Sequence, residues 1–385
     1  MPQIYSPKWI NSISQLDLQD WKYIVGNDVI PFYNWHWLHN LENSKSIIPS
    51  NGWQPLHLLI VKNNKPVAFA PLYLKGHSYG EFIYDSQFAE LSNNFNLNYY
   101  PKLVGMSPVS PIEGYKFFIS KEENKEEITK LIFKTIDEFC IKNNILSCSF
   151  LYVDAAWRNF IESFNCAVWI NQSSLCNLKG AQNFSDYLSK FNSNQRKNIK
   201  KERKFIKESG INIKSIELNE ININNMEIMH DFYQLHCSRW GAWGSKYLTK
   251  QFFKKLSLEK EKQFILFSAS KQDMSTPIAM SLCVKNQEFL WGRYWGSLEA
   301  IKFLHFELCY YSPISWAISN KIKFFDPGAG GTQKRRRGFI ATPNYSLYRW
   351  YEPKIDEIIR PWFSKVNKII LEEIKTTNNE VPFKV

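Results

Sequence analysis

Apolar and polar positions follow two rhythms along this chain. Leu56–Ile60 and Pro66–Leu74 are short apolar runs joined by Lys62-Asn-Asn-Lys65. Paired asparagines tolerate left-handed backbone, so these runs predict a β-hairpin. Tyr79–Asp85 predicts a third strand. From Glu122 to Asn143 a period of about 3.6 residues takes over, with acids in the first turn and Ile128, Leu131, Ile132, Ile136 and Phe139 on one face. That is a helix oriented to suit its dipole. Leu146–Val153 predicts a strand, and Asp154 a cap for the helix after it. Residues 31–41 predict an aromatic helix behind Pro31.

The same order then recurs. Residues 184–209 and 225–239 predict helices, and 211–216, 264–268, 278–284 and 288–295 predict strands. An aromatic-rich helix spans about 300–320. After it, the apolar run Ile322-Lys-Phe-Phe325 stops in Asp326-Pro-Gly-Ala-Gly-Gly331, followed by Thr332-Gln-Lys-Arg-Arg-Arg-Gly338. This recurrence predicts a mixed α/β fold built from a duplicated unit, 1–175 and 176–385. No low-complexity linker separates the halves, so tight packing is expected.

The 385 residues suit two domains, and 28 Phe, 19 Tyr and 14 Trp are ample for buried cores. The seven cysteines are scattered with no C-x-x-C pair, which predicts reduced thiols and no structural zinc. The first ten residues lack a basic region followed by an apolar core. No run reaches the roughly 18 apolar residues of a spanning helix. A cytoplasmic protein with no transmembrane segment is expected.

The net charge of +12 points to a polyanionic partner or a phosphorylated ligand, with solubility as the plain alternative. Its distribution is sharper than its sum. Residues 195–207 hold Arg196, Lys197, Lys200, Lys201, Arg203, Lys204 and Lys207 against Glu202 alone. A solvated helix alternates signs, and this one does not. It is a candidate phosphate or RNA-backbone surface, with Arg196, Lys200, Lys201 and Arg203 as the contacts. Lys334, Arg336, Arg337 and Gly338 form a second basic cluster behind glycines that let backbone amides approach an oxyanion.

Glu307 stands among apolar neighbours and needs a partner or a raised pKa, either of which suits base work or amine binding. Arg293, inside an aromatic strand, is its candidate partner, and His305 a candidate assistant. Structural readings compete: a histidine on such a helix is more often a satisfied core residue, and Cys309 has no flanking hydrolase signature. Trp295, Tyr310, Arg239, Trp240, Asp326, Gly328, Gly330, Glu81 and Asp85 are candidate substrate contacts. Trp243 and Tyr247 would line the same groove as Trp240, or simply plug a loop.

Several stretches together carry a resemblance. They are Tyr79-Gly-Glu-Phe-Ile-Tyr-Asp85, Tyr99-Tyr-Pro-Lys-Leu103, Ser107-Pro-Val-Ser-Pro-Ile-Glu-Gly114, Gln195-Arg-Lys-Asn-Ile-Lys-Lys201, Arg239-Trp-Gly241, Gly292-Arg-Tyr-Trp-Gly296, Leu304-His-Phe-Glu-Leu-Cys-Tyr-Tyr311 and Phe324-Phe-Asp-Pro-Gly-Ala-Gly330. The chain resembles the FemAB-like, peptidoglycan biosynthesis/recognition group of the acyl-CoA N-acyltransferase (GNAT) superfamily. The resemblance implies two tandem GNAT-like domains and transfer of an acyl, chiefly aminoacyl, group to an amine. It implies aminoacyl-tRNA as donor and an amine-bearing peptide or peptidoglycan precursor as acceptor, with no tightly bound cofactor. A CoA-dependent N-acetyltransferase and a non-catalytic RNA- or peptide-binding module are the alternatives. Arg335-Arg-Arg-Gly338 resembles the opening of an acyl-CoA loop, but the family places that loop after the fourth strand. Here that connection is Gly296–Lys302, without the glycines or the arginine. Thr332-Gln333 also stands where the group often has a Glu-His or Ser-His pair.

Overall fold

The computed structural model describes residues 5–26, 29–217, 219–259, 263–272 and 274–384, with the side chains of 242 and 243 set aside. The mixed α/β expectation holds. Two compact units emerge. One comprises 1–171 and 344–370, the other 172–343 and 371–385. Residues 344–370, late in the chain, belong to the first unit.

In the first unit the predicted hairpin is present. Asn63 and Asn64 take φ of 50° and 64°, the left-handed geometry that reverses the chain. Its strands, His57–Lys62 and Lys65–Ala70, lie between Tyr5–Ile10 and Phe118–Ile119 in a small antiparallel sheet. A second sheet runs in the order Trp53–Pro55, Tyr73–Lys75, Lys102–Gly105, Ser147–Phe150 and the end of Ile340–Trp350. Its one parallel pair is Lys102–Gly105 with Ser147–Phe150. The helix Lys125–Lys142 is capped by Asn124, whose side chain accepts from the amides of Glu126 and Glu127. It buries Ile128, Ile132 and Ile136.

Two local expectations fail. Tyr79–Asp85 forms no strand, because Gly80 at φ 84° and Phe82 at φ 59° turn the chain repeatedly. The aromatic stretch at 31–41 starts as a 3-10 turn, and helix proper begins only at Trp35, where Asn34 caps it.

The second unit is organised on a sheet of Ile211–Ile216, Phe264–Lys271, Pro277–Lys285 and Phe289–Ser297, antiparallel in that order. Phe324–Asp326 joins parallel to the last of these and pairs on its other side with Cys176 and Asn177. The single helix expected at 184–209 is two, Phe184–Ser189 and Ser193–Glu208. Asn192 separates them in extended geometry and caps the second through the amide of Gln195. Ile199 and Ile206 turn inward to the core formed with Leu308, Tyr311, Ile314 and Phe325. The aromatic helix at 300–320 is interrupted by a π-turn, Glu307–Tyr311, between Leu304–Phe306 and Ser312–Ser319. Among the described residues no helix is long and apolar enough to cross a membrane.

Candidate functional site

The site in the second unit begins where two parallel strands end. Trp291 lies opposite Asp326, which places Asp326 beside Arg293. The Arg293 guanidinium donates to Asp326 Oδ2 at 2.9 Å and to the Gly292 carbonyl at 2.7 Å. Asp326 Oδ1 in turn accepts the Gly328 amide at 2.7 Å. Gly328, Gly330 and Gly331 all have positive φ, between 67° and 91°, a backbone that disfavours side-chained residues. This turn folds Thr332–Arg337 back so that Lys334 Nζ donates to the Gly328 carbonyl at 2.5 Å. Lys334 is 4% exposed. Burial pushes its ammonium down to about 8, helped by Arg293 and opposed by the nearby Asp326 carboxylate.

His305 stands on the next element. Its ring meets Trp295 edge-on at 4.7 Å and Tyr310 at 5.3 Å. Burial foremost, then the charges of His236, Arg337 and Lys334, hold its imidazole down at about 4. It is therefore neutral near physiological pH. Tyr310 in turn meets Phe339 at 5.3 Å, and Phe339 meets Phe325 at 5.4 Å, so the imidazole joins the aromatic core behind the strand that ends in the glycine turn.

His236, which sequence reading missed, meets the same Trp295 ring at 5.9 Å. Its Nδ1 is buried without a hydrogen-bond partner, and burial lowers its pKa. Gly296 explains the approach. A Cβ there would lie 2.0 Å from the Phe232 carbonyl oxygen, so only glycine lets the helix Ile223–Ser238 settle against the strand. His236 is one turn beyond Phe232, and Trp295 directly precedes Gly296. A lone histidine in an amphipathic helix carries no sequence signal of this contact.

Several expected roles are corrected by the contacts. Arg293 pairs with Asp326, not Glu307. Glu307 is buried and bound by Arg203, through Nε at 3.1 Å and Nη2 at 3.0 Å, and by Ser312 at 2.8 Å. Both oxygens are engaged, so it is not a free base. Arg203 is accordingly committed inward, lying 4.4 Å over the Phe184 ring, and is not available to a phosphate. Arg337 is 2% exposed, bonded to Glu202 at 2.9 Å and stacked on Phe306. It too holds the fold. The Gly328 amide, already given to Asp326, cannot also serve an oxyanion.

Other predicted residues fall as follows. Arg336, Lys200 and Lys201 are exposed. Arg196 bonds the Phe191 carbonyl at 2.5 Å. Gly338, at φ 78°, sits where a Cβ would meet the Tyr187 hydroxyl at 2.5 Å. Gln195 and Arg336 line a polar pocket of about 280 Å³ at the start of the basic helix, with Asn194, Asn198, Arg335 and Glu380. Arg239 bonds the Ser297 carbonyl at 3.1 Å, and Trp240 is 62% exposed beside His236. The Trp243 side chain lies outside the described residues. Cys309 is driven well above the usual thiol range by burial, which disfavours a nucleophile. Glu81 and Asp85 belong to the first unit, buried around Lys102.

Comparison with known proteins adds a family. Residues 12–385 match the FemAB-like model, described as peptidoglycan biosynthesis/recognition. No curated protein sequence matches the chain. The solved structure of L-PGS from Bacillus licheniformis aligns at a TM-score of 0.50 and 8% identity, covering 83% of this chain and 93% of that one. At that identity the likeness is one of fold. FemX aligns at 0.49 and 10% identity, covering 92% and 100%. A tandem GNAT protein from the clavulanic acid biosynthesis pathway aligns at 0.45 and 8%, covering 90% and 99%.

Proposed function

The chain belongs to the FemAB-like family, and from that premise we propose that it transfers an acyl group, of the aminoacyl kind, from an activated ester to an amine. The observation that carries this reading is Lys334. It is a buried ammonium anchored on the glycine turn, its pKa lowered to about 8 by burial.

The chemistry assigns each group a role. The acceptor nitrogen attacks the ester carbonyl, and negative charge gathers on the carbonyl oxygen. Lys334 gives one N–H to Gly328 and has two left for that oxygen, in a site where low polarity strengthens the bond. His305, neutral, receives the proton released by the attacking nitrogen and returns it to the departing oxygen. Arg293 and Asp326 hold the turn in place. The base role expected of Glu307 thus passes to His305.

The donor in this reading is aminoacyl-tRNA. Lys197, Lys200, Lys201, Lys204 and Lys207 are exposed on the basic helix, and Arg336 faces the polar pocket at its start. These cations remain once Arg203 and Arg337 are set aside. The acceptor is an amine on a peptide or peptidoglycan precursor, in keeping with the family's description. The connection Leu298–Phe303 has neither glycine nor arginine, which disfavours acyl-CoA.

Binding of aminoacylated tRNA, uncharged tRNA and acetyl-CoA across a salt series tests the donor. The expected result is tRNA binding that weakens steeply with salt, with a slope reduced in Lys197/Lys200/Lys201→Ala. Binding of acetyl-CoA alone would overturn it.

A further inference from the structure

The cavity of about 280 Å³ beside the basic helix lies wholly within the second unit. Its walls are the first turns of Ser193–Glu208 and the basic turn Thr332–Arg337. Gln195 joins the two walls. It is 8% exposed, and its Nε2 donates to the Arg336 carbonyl at 2.7 Å. The turn is also held from within by Arg337, bonded to Glu202 of the same helix at 2.9 Å. The cavity is therefore in place before any ligand arrives.

Its lining selects an occupant by charge. Arg335 is paired with Glu380, whereas Arg336 is exposed and has no ion pair among the described residues. Two guanidiniums against one carboxylate leave the lining with one excess positive charge. That suits a phosphodiester, which carries a single negative charge. A phosphate monoester, with nearly two charges at neutral pH, would press the second against Glu380. Asn194 and Asn198 add amides that both donate and accept, as does a ribose hydroxyl.

The helix extends this site. Residues three and four apart share a helical face, so Asn194 and Asn198 line up with Lys197, Lys201, Lys204 and Phe205. All six are exposed. Lys197 and Lys201 form no ion pair among the described residues, and Lys204 meets Glu208 at 3.4 Å on the surface. Phe205 is 39% exposed among these cations, its ring braced edge-on by Phe303 at 5.6 Å. Cations that track a backbone beside an aromatic ring that stacks a base are the two needs of a single strand. Asn194 and Phe205 are about 16 Å apart along the axis. The rise of one stacked nucleotide is about 3.4 Å, so the cavity and the ring would meet different nucleotides.

We propose that this face seats a single-stranded RNA segment, with one phosphodiester in the cavity at Arg336 and a base stacked on Phe205. The inference rests on the RNA-donor reading and deepens it: the donor is gripped by an unpaired stretch, since a duplex offers charge but no free base.

Fluorescence anisotropy of the full chain with a labelled single-stranded RNA hexanucleotide, across a salt series, tests the seat. The same strand annealed to its complement and inorganic phosphate as competitor are the controls. The single strand should bind more tightly than the duplex, and inorganic phosphate should compete poorly. Phe205→Ala should weaken the single strand about tenfold with its salt slope unchanged. Arg336→Ala should instead reduce the slope by about 0.7, the share of one phosphate on a single strand. Both side chains are exposed, so both variants should fold. Equal binding of duplex, or single-strand binding that ignores both substitutions, would overturn the seat. Binding of tRNA that needs Lys197, Lys200 and Lys201 but ignores Phe205 and Arg336 would sink the seat alone and leave the donor reading standing. No binding of any RNA would sink both.

Discussion

Arg203 and Glu307 meet through two parallel hydrogen bonds, Nε to Oε2 at 3.1 Å and Nη2 to Oε1 at 3.0 Å. One comes from the most basic helix of the chain, the other from the π-turn 104 residues later. The contact docks a helix that carries little apolar surface of its own. It also explains why a carboxylate can stay buried there: an ion pair with two good bonds and a serine hydroxyl offsets the cost of leaving water.

Removing one partner should therefore hurt the fold. Glu307→Ala is expected to cost roughly 3 kcal/mol, because an unpaired guanidinium remains. Urea denaturation measures it. A double-mutant cycle with Arg203→Ala should return a coupling above about 1 kcal/mol. Coupling near zero would mean that the two groups act independently.

Gly296→Ala should be among the most damaging small substitutions. The new Cβ would meet the Phe232 carbonyl, backbone that cannot swing aside. A loss on the order of 3 kcal/mol is expected, with altered tryptophan fluorescence as His236 and Trp295 separate. A variant with unchanged stability and spectrum would show that the helix Ile223–Ser238 has room to retreat.

Much of this fold was legible because local chemistry and tertiary structure agree. Asn63-Asn64 make a turn in any context that supplies two strands, and Asn124 with Glu126 and Glu127 begins a helix by itself. Legibility ended where distant groups decide. The cations of the basic helix were visible, but Arg203 and Glu202 point inward only because Glu307 and Arg337 wait 104 and 135 residues away. Glu307 was rightly singled out as a buried acid, yet its partner was misassigned to Arg293, since spacing cannot rank two arginines. The π-turn, which shifts His305 relative to Tyr310, leaves no periodic trace.

Acid should reveal His305. Its folded pKa of about 4 lies below the unfolded value of 6.5, so the unfolded chain binds more protons between those limits. Stability from this group is then full above pH 6.5 and falls as pH drops toward 4, by up to about 3 kcal/mol. His305→Phe should flatten that part of the stability–pH curve relative to wild type. Parallel curves would mean that the imidazole is solvated.

Lys334 sets the opposite limb. If its ammonium holds the oxyanion, transfer should decline above pH 8 as the proton is lost. Lys334→Met should lower the rate about a hundredfold or more, and Lys334→Arg should retain part of it while moving the decline beyond the measurable range. Unfolding does not mimic this profile. A lysine whose folded pKa is depressed from 10.5 to about 8 leaves the unfolded chain with more protons across that window, so its contribution to stability rises with pH. Rate and stability must therefore diverge above pH 8. A rate that instead tracks the folded fraction would remove Lys334 from the chemistry and leave it as an anchor of the glycine turn.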